Sequence, residues 1–109
     1  MATLAATARR WGNAGTVTGP GSVWTNINNL YVGDYGSGNT LTITNGGQVF
    51  DAIGYVGMGG NSNGVIVTGA GSIWSNTSLY VGTNSSYNTL TIANIVLTAA
   101  PEGLRPVTA

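Results

Sequence analysis

Thr16-Val17-Thr18-Gly19-Pro20-Gly21-Ser22-Val23-Trp24 returns further along the chain as Ile66-Val67-Thr68-Gly69-Ala70-Gly71-Ser72-Ile73-Trp74. Leu30-Tyr31-Val32-Gly33 returns as Leu79-Tyr80-Val81-Gly82, and Thr40-Leu41-Thr42-Ile43-Thr44-Asn45 as Thr89-Leu90-Thr91-Ile92-Ala93-Asn94. The offsets are 50, 49 and 49 residues. A fixed period of this kind signals stacked similar units and excludes an ordinary compact domain.

The long unit divides again. Val17, Ile43, Val67 and Ile92 align in steps of 26, 24 and 25 residues. Tyr31, Tyr55 and Tyr80 form a second column, and Val23-Trp24, Val49-Phe50 and Ile73-Trp74 a third. Each unit of roughly 25 residues holds three short segments rich in Val, Ile, Thr, Tyr and Trp, separated by Gly, Asn, Ser and Asp. An antiparallel meander gives no reason for such a period. A coil that passes through three strands and returns one layer higher gives every copy the same surroundings. The expected fold is therefore all-β: a parallel β-helix of about four coils with three short strands per coil.

Alternation assigns the faces. In Thr40-Leu41-Thr42-Ile43-Thr44, Leu and Ile point one way and Thr the other. Val17, Ile43, Val67 and Ile92 are then an interior column. In the third segment Val32, Val56 and Val81 point in, and Tyr31, Tyr55 and Tyr80 point out. In the second, Val23, Val49 and Ile73 are assigned to the interior and Trp24, Phe50 and Trp74 to the surface. Residues 15–98 form the repeats. Residues 1–14 are a flank or cap, compatible with a short helix, and 99–109 are a tail.

Composition narrows the function. Only 6% of the 109 residues are charged, and between Gly15 and Asn94 the charged side chains are Asp34 and Asp51. Nothing there neutralises a phosphate backbone, so nucleic acid is not an expected partner. No apolar run is long enough to span a bilayer, so membrane insertion is not expected. The chain has no Cys and no His, which removes thiol chemistry and the commonest general base. Asp34 and Asp51 fall in different columns and read as surface turn residues, not as a carboxylate pair. The expectation is no enzyme, no metal and no cofactor.

The units resemble the repeats of bacterial autotransporter passenger domains and related surface proteins. The pattern there is V-T-G-x-G-S-x-W, then L-Y-V-G, then T-L-T-I-x-N-G-G. It stands here as Val17 to Trp24, Leu30 to Gly33 and Leu41 to Gly47, and again as Val67 to Trp74 and Leu79 to Gly82. The resemblance covers residues 15–94 and implies a right-handed parallel β-helix on a bacterial surface. The expected location is extracellular or cell-surface, although residues 1–10 do not read as a signal peptide.

Three candidate surfaces remain. Tyr31, Tyr55 and Tyr80 should form one aromatic ladder, and Trp24, Phe50 and Trp74 another. Such ladders stack coil on coil or bind sugar rings, which makes a carbohydrate-binding or adhesin module the alternative to a structural one. The outward threonines Thr16, Thr18, Thr42, Thr44, Thr68 and Thr91 form a flat array of the kind that binds ice, broken at Ile66 and Ala93. Third, the tail contains Pro101 and Pro106 and offers no clear cap, so self-association through coil ends is expected.

Overall fold

A computed structural model of the chain describes residues 2–4 and 12–93. Among them every regular element is a strand, and every strand pairing is parallel. The chain is a β-solenoid of about three turns. Each turn runs through three sheets in the same order. The first sheet holds β2 (Ala14–Thr18), β5 (Thr40–Thr44), β8 (Gly64–Thr68) and β11 (Thr89–Ala93). The second holds β3 (Val23–Thr25), β6 (Gln48–Phe50) and β9 (Ile73–Ser75). The third holds β4 (Leu30–Asp34), β7 (Ile53–Met58) and β10 (Ser78–Thr83), with β1 (Ala2–Leu4) paired below β4. Within the flank, Ala2–Leu4 is a strand and not part of a short helix. Residues 5–11 and 94–109 lie outside the described residues, and with them the rest of the flank and the tail.

The first sheet follows the alternation. Val17, Ile43, Val67 and Ile92 pair directly along one column. Ile43 and Val67 are fully buried, and Leu41 and Val65 line the same interior one column away. The third sheet stacks Leu30, Gly54 and Leu79, then Tyr31, Tyr55 and Tyr80, then Val32, Val56 and Val81.

The second sheet corrects the expectation. Trp24 pairs with Val49 and Val49 with Trp74, while Phe50 lies between Thr25 and Ser75. Trp24 is partly buried against the core and Trp74 fully buried. Val23 is 54% exposed and pairs with Gln48, which pairs in turn with Ile73. Trp24, Phe50 and Trp74 are thus not a surface ladder. The cause is corner length. Four residues, 19–22 and 69–72, join the first strand to the second in two coils, but only three, 45–47, do so in the middle coil. One residue fewer reverses the face of the second-sheet strand that follows it. The interior tryptophan needs room, and Gly54 supplies it: a Cβ there would meet the Trp74 ring at 2.7 Å.

The corner from the third sheet to the first is organised by asparagine. Asn13 donates its main-chain N–H (3.0 Å) and Nδ2 (3.1 Å) to Asn39 Oδ1. Asn39 does the same to Asn63 Oδ1 at 2.9 and 3.0 Å, and Asn63 to Asn88 Oδ1 at 2.9 and 3.2 Å. Asn39 and Asn63 are fully buried, where an unpaired amide would cost about 1–3 kcal/mol. The glycine of the L-Y-V-G motif serves this ladder. A Cβ on Gly33 would overlap the Asn63 carboxamide, and one on Gly57 that of Asn88. Both glycines also have positive φ, 87° and 79°.

Candidate functional site

Three groups of side chains stand out on this frame. The first is the tyrosine ladder on the outer face of the third sheet. Tyr31 and Tyr55 stack with ring centroids 4.8 Å apart and planes 3° apart. Tyr55 and Tyr80 stack at 5.2 Å and 14°. The spacing follows from parallel pairing, which places equivalent residues one strand separation apart. Tyr80, on the last coil, is 49% exposed, and Asn29 Nδ2 donates to the Tyr31 hydroxyl at 3.4 Å. The result is a continuous apolar strip edged by hydroxyls, a surface that suits a flat sugar ring.

The second group is the threonine array on the first sheet. Thr16, Thr42, Ile66 and Thr91 form one outward column, and Thr18, Thr44, Thr68 and Ala93 another. A third outward column runs Ala14, Thr40, Gly64 and Thr89. The alternation through Thr40-Leu41-Thr42 could have found it. Ala14, Gly64, Ile66 and Ala93 interrupt the hydroxyl lattice in three of its four rows.

The third group was missed as a group. Asn26, Asp51 and Asn76 each follow the second-sheet strand of their coil, in steps of 25 residues. Asp51, expected at the surface as a turn residue, is only 9% exposed. The interior tryptophan explains why: Trp74 Nε1–H donates to Asp51 Oδ2 at 2.6 Å. Asp51 Oδ1 and both polar atoms of the buried Asn76 side chain have no hydrogen-bond partner among the described residues. Burial pushes the Asp51 carboxyl up to about 6, while the Trp74 N–H and the nearby Asn76 side chain favour its ionised form. Asp34 ends β4, where partial burial also raises its carboxyl. Asp51 lies outside the strands, in the corner after β6, and so in a different part of the coil from Asp34. Among the described residues no group of three His, Cys, Asp or Glu side chains could hold a metal ion.

No protein-family model matches the chain, and neither the curated proteins nor the solved structures contain a significant match to it. The repeat establishes a β-solenoid. The geometry offers a stacking surface and a hydroxyl surface, together with a buried acid held by the Trp74 N–H.

Proposed function

We propose that this chain is a non-enzymatic structural module of a bacterial surface or secreted protein, and that it builds a shaft by associating through its coil ends. One observation carries the reading. Val32 and Val56 are fully buried, but Val81, the same position in the last coil, is 44% exposed. Among the described residues this core column ends at Val81, with an apolar side chain in the open. Only Asp34 and Asp51 carry charge in residues 15–94, and charge is the usual defence against edge pairing. The kinship to autotransporter passenger repeats and the surface location belong to this proposal. They are supported by the V-T-G-x-G-S-x-W and L-Y-V-G motifs and by the low charge. Light scattering over a concentration series is expected to show a mass that rises with concentration, and electron microscopy to show rods. A monomer mass that stays constant at high concentration would end the reading.

The tyrosine ladder supports a second reading, a carbohydrate-binding or adhesin module. On a glycan array the chain should then retain sugars, and Tyr55→Ala, which removes the middle rung, should abolish retention. The same change deletes two stacked pairs and should cost roughly 1–3 kcal/mol of stability. Retention therefore has to be compared at a temperature where both proteins are folded. Equal retention by Tyr55→Ala would exclude the ladder as the binding surface.

A further inference from the structure

The sequence contains two Asn-Gly steps, Asn45-Gly46 and Asn63-Gly64. An Asn-Gly step is where a polypeptide most readily attacks itself, because no Cβ on the glycine hinders its nitrogen as it approaches the asparagine Cγ. The fold places the two steps in opposite surroundings.

Asn63 is a rung of the asparagine ladder and only 1% exposed. Its Oδ1 accepts from the Asn39 main-chain N–H at 2.9 Å and from Asn39 Nδ2 at 3.0 Å. Its Nδ2 donates to Gly36 O at 3.0 Å and to Asn88 Oδ1 at 3.2 Å. The Gly64 N–H donates to Asn39 O at 2.9 Å. Bringing this nitrogen onto this carboxamide breaks several of these bonds at once.

Asn45 opens the short corner between β5 and β6, and it is exposed. Its φ of 52° is left-handed, and Gly46 follows at 84°. The nitrogen that would attack is engaged by the coil above: Gly46 N–H donates to Ser72 Oγ at 3.0 Å. Ser72 is itself held, since its hydroxyl donates to Thr68 O at 2.8 Å. Attack on Asn45 Cγ requires the Gly46 nitrogen to give up its proton, and with it the bond to Ser72.

We propose that Asn45 is a spontaneous modification site, converted to aspartate and isoaspartate, and that the Ser72 hydroxyl controls its rate. The Gly46 nitrogen loses its proton to hydroxide and forms a bond to Asn45 Cγ. The side-chain nitrogen takes up a proton and leaves as ammonia, which closes a succinimide ring. Water then opens the ring. Cleavage of the Cγ–N bond gives aspartate with the original main chain. Cleavage between the main-chain carbonyl carbon and the nitrogen gives isoaspartate, whose main chain is one carbon longer. Either product adds a negative charge to a chain of net charge zero. Isoaspartate also lengthens the corner that is one residue shorter than the corners stacked on it.

The test uses the whole folded protein, held at pH 8 and 37 °C and sampled by peptide mass spectrometry, with isoaspartate detected by enzymatic methylation. Asn45 should deamidate at least about tenfold faster than Asn63, because each bond on Asn63 adds to the cost of opening. In urea, where the fold no longer separates them, the two steps should react alike. Ser72→Ala should speed the reaction at Asn45 about three- to tenfold, the range set by one hydrogen bond of ordinary net strength. Ser22→Ala is the control. Ser22 makes the matching bond within its own coil, to Thr18 O at 2.6 Å, and its loss should leave the Asn45 rate unchanged. Asn45→Gly, at a φ of 52° that glycine adopts freely, should abolish the charge change seen on isoelectric focusing. Acceleration of Asn63 together with Asn45 in Ser72→Ala protein would mean general loosening and overturn the role of Ser72. Equal rates at Asn45 and Asn63 in the folded wild type would overturn the site. So would an Asn45 that stays intact in the folded protein while the urea sample reacts.

Discussion

Ile43→Asp is expected to leave no folded protein at 25 °C. Ile43 is fully buried between Val17 and Val67, at the centre of the interior column. The substitution removes a buried aliphatic side chain, a loss of about 2–5 kcal/mol when truncated to alanine. It also buries a carboxyl within the apolar core, between Val17 and Val67, which costs several kcal/mol more. The sum reaches the 5–15 kcal/mol that typically holds a whole domain together. Far-UV circular dichroism of the variant should show no cooperative melting. Thr42→Asp is the control, because Thr42 is the adjacent residue on the outward face. It should cost no more than about 1 kcal/mol. If both variants melt alike, or if Ile43→Asp melts with the wild type, the assignment of inside and outside in the first sheet is wrong.

Asp51→Asn should stabilise the protein at pH 8 and flatten its pH dependence. Asp51 stands in a column whose other members are Asn26 and Asn76, so the substitution makes that column uniform. Burial lifts the Asp51 carboxyl from 3.8 to about 6. The folded chain therefore binds a proton more tightly than the unfolded chain does. Between pH 4 and 6 the wild type should lose stability as pH rises, and above about 7 the loss should be complete. The difference from 3.8 to about 6 corresponds to roughly 3 kcal/mol. For a chain of this size that is on the order of 10 °C in melting temperature. An asparagine keeps an oxygen for the Trp74 N–H and brings an amide N–H toward the buried Asn76 oxygen, at no charge. Melting temperatures of both proteins at pH 4, 5 and 8 decide the matter. A wild type that is more stable at pH 8 than at pH 5 would contradict the burial of this acid. So would an Asp51→Asn protein that gains nothing at pH 8.

Asp51 also shows how a site can be hidden from sequence. An Asp in a turn is ordinary, and its own neighbours give no hint of burial. Its environment comes from Trp74, 23 positions later, and that contact exists only because the tryptophan points inward. The tyrosine ladder is the opposite case. Tyr31, Tyr55 and Tyr80 each sit between a position equivalent to Leu30 and one equivalent to Val32, so alternation and period together are enough to stack them.

The sequence by itself determined the solenoid, the three strands per coil, and the facing of the first and third sheets. Period and alternation are local properties, and equivalent residues one period apart must pair once the strands are parallel. Tertiary structure decided the second sheet. Chemical likeness aligns Phe50 with Trp24 and Trp74, but the ladder pairs Val49 with them, because the corner at Asn45-Gly46-Gly47 is one residue short. The face a side chain takes after a corner depends on how many residues the corner holds relative to the coil stacked on it. The role of Gly33 and Gly57 has the same origin: each is small because an asparagine of the next coil occupies the space its side chain would need. Composition can name such a residue, but only the stacked neighbour supplies the reason for it.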